Sequence, residues 1–424
     1  MRSSGGAIGP SEACTAPGIE AGLAHCAMFG MKPGLESIRR VCAALGNPQE
    51  RLKIVHVAGT NGKGATCALV ESALRAAGFG TGRYTSPHLV SLSERFLLNG
   101  KPVSAKRLDE AYASVPEAEK LTYFELLTAV AFRLYAAERV DWLVLETGLG
   151  GRLDATNVVE RPQVCAITRI GLDHCDWLGG TLREIAAEKG GIIKPGVPVV
   201  LGAMPDEAHD TLVRIAAGRG APCVYAPDEV KECDIPEGFA LKGKFNRENA
   251  LTALAVLKTL GVGREAVERG FGAVVWPGRF QKVERVGRRF IVDGAHNPPA
   301  MRALVDSLKA EANAADGFPV RAAICGFCGD KDVGANLALL REVADRGIAV
   351  AIRNPRSLSA GETARKMRDA GFAGVRECGS LAEALSSAPD GTVVCGSLFL
   401  AGEALEALGA GDGGDVRFVP SETL

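Results

Sequence analysis

The sequence holds no apolar run long enough to cross a bilayer, which excludes a helical membrane span. It also lacks a charge imbalance. Its 49 basic residues are matched by 50 acidic ones, for a formal net charge of −1. A surface so near neutrality argues against a nucleic-acid platform and against a polybasic membrane anchor, so neither partner is expected. Disulfide-framework spacing is missing as well: the 12 cysteines are scattered, which suits a reducing cytoplasm. The only C-x-x-C, Cys325-Gly326-Phe327-Cys328, ends an apolar strand and has no second pair with which to hold zinc. Two ordinary half-buried thiols are expected there, in place of a redox or metal centre. Residues 1–18 are rich in Gly, Ser, Ala and Pro and have no apolar signal core. They read as a flexible tail and not as an export or organelle address. No internal repeat of short period is present.

What is present is bulk and alternation. Hydrophobic residues make up 47% of the 424, enough for sizeable cores, and the length exceeds what one core usually supports. Strands are predicted near 53–58, 80–85, 141–146, 164–168 and 197–201, with helices near 35–45, 65–77, 124–138, 181–189, 206–217 and 247–260. Trp276-Pro277-Gly278-Arg279-Phe280 then breaks the pattern as a hinge would. Beyond it, strands near 289–293, 320–325, 348–352 and 392–395 alternate with helices near 298–312, 332–344, 360–370 and 398–408. Such alternation favours parallel sheets covered by helices. The expected fold is α/β: a P-loop-type parallel-sheet domain over 19–285, followed by a smaller Rossmann-like α/β domain over 286–424. The stretch 409–414, mostly glycine, reads as a flexible loop after the last helix.

In open parallel sheets, ligands sit beyond the carboxyl ends of the strands, and the polar clusters of this chain fall there repeatedly. The first predicted strand runs into Gly59-Thr60-Asn61-Gly62-Lys63-Gly64-Ala65, and a helix follows. Glycines let backbone N–H groups approach phosphate oxygens, the helix start adds its positive dipole end, and Lys63 supplies a mobile cation. The match to the common P-loop is partial. Val57 stands where that motif has its first glycine, and Gly64 stands where it places a hydroxyl on magnesium. The plain alternative is a glycine-rich turn with an exposed lysine. Glu146 closes an apolar strand as a Walker-B carboxylate does, a position suited to magnesium; alone it would be a cap on the strand exit. Ser86 could supply the hydroxyl that Gly64 lacks. His174, by itself, reads as an ordinary loop histidine. Lys189 near a helix end normally faces water; buried beside a metal it could lose its proton and react with carbon dioxide to give an anionic carbamate. Asp293-Gly294-Ala295-His296-Asn297-Pro298 is again strand, turn and helix start, fit for an anionic group or a ribose, or else a plain turn with Pro298 in the first helical turn.

Taken in order, Gly59 to Gly64, Thr85-Ser86-Pro87-His88-Leu89, Leu121 to Glu125, Glu146 to Asn157, Leu172 to Gly179, Pro277-Gly278-Arg279, Asp293 to Pro298, Asp330-Lys331-Asp332 and Cys395-Gly396-Ser397 closely match one family. From about residue 20 to about residue 405 the chain resembles folylpolyglutamate synthase/dihydrofolate synthase, a branch of the Mur ligase superfamily. The resemblance implies an ATP-dependent ligase that joins L-glutamate to a folate carboxylate through an acyl phosphate, with an active site between the two domains. It implies Gly59 to Ala65 as the phosphate loop, with Asn249, Arg279 and Asp293 as further ATP contacts. It implies Ser86, Glu146 and His174 as ligands of Mg2+ and Lys189 as a carbamylated lysine. Gly30, Met31 and Lys32, Thr122, Tyr123, Phe124 and Glu125, and Leu153, Asp154 and Ala155 fall on the pterin side. His296 and Ser397 fall on the glutamate side, with His296 a candidate base. Two positions depart from the family pattern. Ala65 replaces a usual Ser or Thr, for which Thr66 could substitute, and Gly190 replaces a usual Ala. The expected partners are small molecules: dihydropteroate or folates, L-glutamate and ATP. A monomer in the cytoplasm is expected. A Mur-type ligase for another carboxylate, and a nucleotide-binding switch without ligase chemistry, are the alternatives.

Overall fold

The structure is a computed structural model and describes residues 18–26, 34–313 and 317–409. The expected tail up to residue 17, the segment Gly30-Met31-Lys32 and the stretch beyond Gly409 lie outside the described residues.

The first sheet is built from β1 (Lys53–Ala58), β2 (Thr81–Tyr84), β3 (Phe96–Leu98), β4 (Lys101–Pro102), β5 (Trp142–Glu146), β6 (Val164–Ile167), β7 (Val199–Leu201) and β8 (Cys223–Tyr225). Its order is β4-β3-β2-β5-β1-β6-β7-β8, parallel except for β3 and β4. β1 is central because both of its faces are buried and, His56 apart, apolar from Ile54 to Ala58. Ile54 packs on one face with Leu143, Leu145 and the helix Tyr123–Ala137. Val55 and Val57 pack on the other with Val144 and the helices Lys63–Ala76 and Lys244–Thr259. Each such side chain, fully buried, contributes roughly 1.5–3 kcal/mol against exposure. The parallel register pairs Val57 with Glu146 and with Ala166, so the carboxyl ends of β5 and β6 come level with the glycine turn after β1.

The second sheet comprises β9 (Gln281–Arg285), β10 (Arg288–Val292), β11 (Ala322–Cys325), β12 (Arg346–Ala349), β13 (Gly374–Glu377) and β14 (Thr392–Cys395). Its order is β13-β12-β11-β14-β10-β9, parallel but for β9. Residues alternate between two cores: Ile291, Ala323 and Val393 face one, Val292, Ile324 and Val394 the other. β9 pairs into this sheet although it precedes residue 286, the expected start of the second unit.

The expected α/β architecture is present, and the strands that escaped sequence reading share one property. β3, β4, β8, β9 and β13 all lie at or next to a sheet edge. β3 is a run of only three apolar residues, and in the other four most residues are part-exposed, so they lack the continuous apolar run that marks a central strand. The helices Ala105–Ala113, Arg264–Ala273 and Leu381–Ser387 are also unpredicted by the alternation. The C-x-x-C thiols need correction: Cys325 is fully buried because it ends β11, an interior strand covered on both faces, Cys328 in the segment that follows is buried too, and both are free. No helix among the described residues is long and apolar enough to cross a membrane.

The two sheets are brought together by helix Lys244–Thr259 packing on helix Pro298–Ala312, where the Lys244 N–H donates to Ser307 Oγ at 3.0 Å. Leu89, from the loop after β2, seats in the apolar core of the second sheet with Leu400 and Ala401.

Candidate active site between the two sheets

The strand ends of both sheets face one cavity of about 430 Å³. From the first sheet it is lined by Thr60 to Ala65, Ser86, Glu146, Asp173, His174 and Asn249. From the second it is lined by Arg279, Asp293, His296, Lys331 and Ser397.

The glycine turn is built as the sequence predicts. Gly62 has φ +90° and caps the helix Lys63–Ala76; a Cβ there would lie 2.1 Å from Asn249 Oδ1. Gly59 sits beneath the turn against Thr168 and does not line the cavity. The turn is tied to the loop after β6: the Thr60 N–H donates to the Arg169 carbonyl at 2.9 Å, and Thr168 Oγ1 donates to the Asn61 carbonyl at 2.8 Å. Gly64 has a steric reason to depart from the common motif. A Cβ at that position would lie 2.2 Å from the Trp276 ring. The hydroxyl of the usual motif therefore has no room. Thr66, expected as a substitute for a hydroxyl at position 65, needs correction: it is fully buried and does not line the cavity. Gly190 has a lesser constraint, since a Cβ there would meet the tips of Ile215 at 2.8 Å and Leu212 at 3.0 Å.

Glu146 is buried, and burial raises its carboxyl above the usual range against the opposing pull of Lys63. Its Oε2 accepts the Ser86 N–H at 3.0 Å, while Oε1 faces Lys63 Nζ at 4.0 Å, beyond hydrogen-bonding reach. One carboxylate oxygen thus stays open to the cavity. Together with the Ser86 hydroxyl it forms a small oxygen donor set, the kind that holds magnesium when phosphate oxygens and water complete the shell. No cluster of three or more His, Cys, Asp or Glu side chains is found among the described residues. The donors that Glu146 and Ser86 present fit a site completed by phosphate oxygens. His174 is an exposed loop residue with φ +52°, adjoining Asp173.

Lys189 ends the helix Leu182–Lys189 and is 4% exposed. Burial first, then the charge of Lys63, lowers its amine to about 7. A neutral amine is the form that adds carbon dioxide, so the residue fits carbamylation. It does not line the cavity; Lys63 and Asp173 act on it through charge.

On the opposite wall, Asp293 spends both oxygens on backbone, accepting from the Phe280 and Ala295 N–H groups at 2.8 Å each. Its charge acts on Arg279. The Nδ1 of His296 lies 2.7 Å from the Gly294 carbonyl, which can only accept. Nδ1 therefore carries the hydrogen, and Nε2 keeps a lone pair. Burial lowers this imidazole to about 4, so it is neutral near pH 7. Ser397 caps the helix Leu398–Leu408 through the Phe399 N–H at 3.1 Å.

Among the described residues, the expected pterin-side positions 122–125 and 153–155 do not enter this cavity. Thr122 and Glu125 form a reciprocal capping box for the helix Tyr123–Ala137. Asp154 accepts from the Gly148, Leu149 and Thr156 N–H groups at 2.8–3.0 Å. Asp154 therefore spends both oxygens, and Glu125 one, on the chain's own turns. Phe124 packs beneath Gly148, which does line the cavity; Tyr123 carries Arg95 over its ring at 5.7 Å; Leu153 is exposed and Ala155 buried.

Asp173, Asn297 and Lys331, which received no role from sequence, stand out. Asn297 Nδ2 donates to Asp173 at 2.7 Å, Lys331 Nζ lies 3.6 Å from the same carboxylate, and Asn61 and Asn297 approach to 3.4 Å. Burial alone would raise the Asp173 carboxyl, but His174, Lys331 and His296 outweigh it and bring it to about 2. The motifs Leu172-Asp173-His174 and Asp330-Lys331-Asp332 carried the signal, without the partner that explains it.

Comparison with known proteins agrees with this geometry. Residues 57–225 match the Mur ligase middle domain, and residues 278–398 match the Mur ligase glutamate ligase domain. The chain is 37% identical over 321 residues to a dihydrofolate synthase/folylpolyglutamate synthase of Bacillus subtilis, covering 66% of this chain and 73% of that protein. It is 34% identical over 394 residues to the Escherichia coli protein of the same name, covering 89% and 92%. Among solved structures, E. coli FolC in complex with DHPP and ADP superposes with a TM-score of 0.81 at 32% identity, covering 93% of this chain and 98% of that one. A bifunctional folylpolyglutamate synthase/dihydrofolate synthase with Mn, AMPPNP and L-glutamate bound gives a TM-score of 0.79 at 32% identity, covering 93% and 98%.

Proposed function

The chain belongs to the dihydrofolate synthase/folylpolyglutamate synthase family of Mur ligases, and from that premise we propose that it joins L-glutamate to dihydropteroate, to reduced folates, or to both, with release of ADP and phosphate. It is an ATP-dependent ligase. The observation that carries the substrate reading is the single cavity in which the phosphate turn and Glu146 of one sheet face Arg279, His296 and Ser397 of the other.

A carboxylate is a poor electrophile and needs activation. In the proposed reaction the folate-side carboxylate attacks the γ-phosphate of ATP, giving an acyl phosphate and ADP; the glutamate amine then attacks the acyl carbon and phosphate leaves. The turn Gly59 to Ala65 would bind the phosphates, with Asn249, Arg279 and Asp293 around the rest of the nucleotide. Lys63 would neutralise charge spreading over the transferring phosphoryl group. A magnesium ion would be held by Ser86, Glu146 and His174, with carbamylated Lys189 behind it, and would supply further charge neutralisation there. His296, through its free Nε2, would accept a hydrogen from the glutamate amine and orient it, with Ser397 alongside. Enclosure between the sheets would keep water from the acyl phosphate. The pterin would lie toward Phe124 and the 153–155 turn, with Thr122 and Glu125 shaping that wall as a helix cap. We divide the chain functionally at residue 285 and take it to act as a cytoplasmic monomer.

A coupled assay tests the reading. ADP release should require both dihydropteroate or a reduced folate and L-glutamate, and mass spectrometry should show the glutamyl product. Turnover with an unrelated carboxylate in their place would favour a different Mur-type ligase. ADP release that needs neither substrate would favour a switch module.

A further inference from the structure

Behind the phosphate turn lies a second cavity, of about 130 Å³, and we propose that it binds a small oxyanion, a carboxylate or a phosphate. It lies between the helix Lys63–Ala76, the strands β2 and β3, and the segment 273–279. Its charged lining consists of Glu71, Arg75, Arg83, Glu94 and Arg279.

Glu94 is engaged through both oxygens and Glu71 through Oε1. Glu94 accepts from the N–H groups of Leu89 at 2.8 Å, Val90 at 3.0 Å and Ser91 at 2.7 Å. Glu71 accepts from the Thr81 hydroxyl at 2.6 Å and faces Arg75 Nε at 3.4 Å. Arg83 is different. It is 6% exposed, its side chain donates no hydrogen bond to any described residue, and its Nε is fully buried without a partner. Its guanidinium carbon lies 5.2 Å from the centre of the Trp276 ring, which covers one face and leaves the in-plane donors free. Glu71 acts on it through charge but makes no ion pair with it among the described residues.

Arginine cannot shed its proton to escape the cost of burial. A buried cation with open donors is rare in native proteins and calls for a partner. The two coplanar oxygens of a carboxylate, or two of a phosphate, match the fork of a guanidinium. The remaining walls, among them Leu89, Leu97 and Val274, are apolar and would strengthen the pairing by excluding water. The volume is too small for a nucleotide or a folate. Pro87, Trp276 and Arg279 line both this cavity and the larger one, and Trp276 also occupies the space beside Gly64. An anion on Arg83 would therefore reach the phosphate turn through Trp276. The proposal does not depend on which substrate the larger cavity takes.

The test uses full-length protein carrying Trp142→Phe and Trp177→Phe, which leaves Trp276 as the sole remaining tryptophan of 3. With ADP and magnesium saturating the phosphate turn, sodium phosphate, bicarbonate and acetate are titrated against sodium chloride at equal ionic strength while Trp276 fluorescence is read. A saturable response to an oxyanion, beyond that to chloride, is expected, and the tightest anion distinguishes phosphate from carboxylate. Arg83→Met should weaken it at least about tenfold. Val275→Glu, which sets a competing carboxylate on a rim residue that is 65% exposed, should abolish it and decides the matter if Arg83→Met does not fold. No response beyond chloride, or an equal response in wild type and in every variant that folds, overturns the proposal.

Discussion

Asn297 reaches from the helix start of the second sheet and donates a hydrogen bond of 2.7 Å to Asp173, in the loop that follows β6 of the first. The same residue caps its own helix through the Ala300 N–H at 2.9 Å. Asn297→Asp separates these tasks, since aspartate is as good a cap but sets a second carboxylate against Asp173. The helix content read by circular dichroism should stay at wild type, while the melting temperature falls and kcat/KM for glutamate drops about 10–100-fold, the worth of a hydrogen bond to a charged group. Unchanged kinetics would show that this contact between the sheets plays no part in turnover.

Gly64→Ala sets two effects against each other. Helix propensity favours alanine by about 1 kcal/mol. The new Cβ would lie 2.2 Å from the rigid Trp276 ring, and an overpacked contact costs about 1–3 kcal/mol. The clash should win, lowering ADP affinity measured by calorimetry. Trp276→Leu added to Gly64→Ala should restore part of the loss; additive effects of the two changes would refute direct contact.

Lys189→Ala should abolish turnover while leaving the circular dichroism spectrum and melting temperature close to wild type. A buried amine brought to about 7 is poised to be neutral at working pH, which is of no use to a structural ion pair but is what carbamylation needs. Near-normal rates in this variant would retire the carbamate.

His56, in the middle of β1, is fully buried with Nε2 2.8 Å from Thr156 Oγ1, and burial together with Lys194 lowers its imidazole to about 3. The unfolded chain binds a proton near pH 6.5 that the folded chain refuses. Stability contributed by the neutral ring is therefore full above pH 6.5 and is lost as the pH falls toward 3. His56→Leu should flatten the acid limb by about one proton, or about 1.4 kcal/mol per pH unit, in urea titrations between pH 6 and pH 4. Parallel slopes in variant and wild type would place the protonating group elsewhere.

How much was legible beforehand follows the range of the interactions involved. β1, the glycine turn and the helix after it are local: a run of apolar residues, two glycines and a cap are visible within a few positions, so the phosphate turn and the central strands could be read directly. The edge strands could not, because half-exposed residues carry no run to read. Nor could the committed state of Glu125 and Asp154, whose carboxylates serve backbone N–H groups that only the folded turn presents.

Residue order alone determined that polar groups would collect at strand ends, since alternation sets the sheets and parallel sheets put their carboxyl ends together. Tertiary structure decided which of those groups meet. Trp276 occupies the space beside Gly64 from more than 200 positions away, and Asn297 finds Asp173 across 124. Arg83 Nε is left without an acceptor while Glu71, on the helix beside it, gives its Oε1 to Thr81 and Arg75. Such pairings depend on how two sheets and their helices pack, and packing compares shapes and charges that no local window of sequence contains.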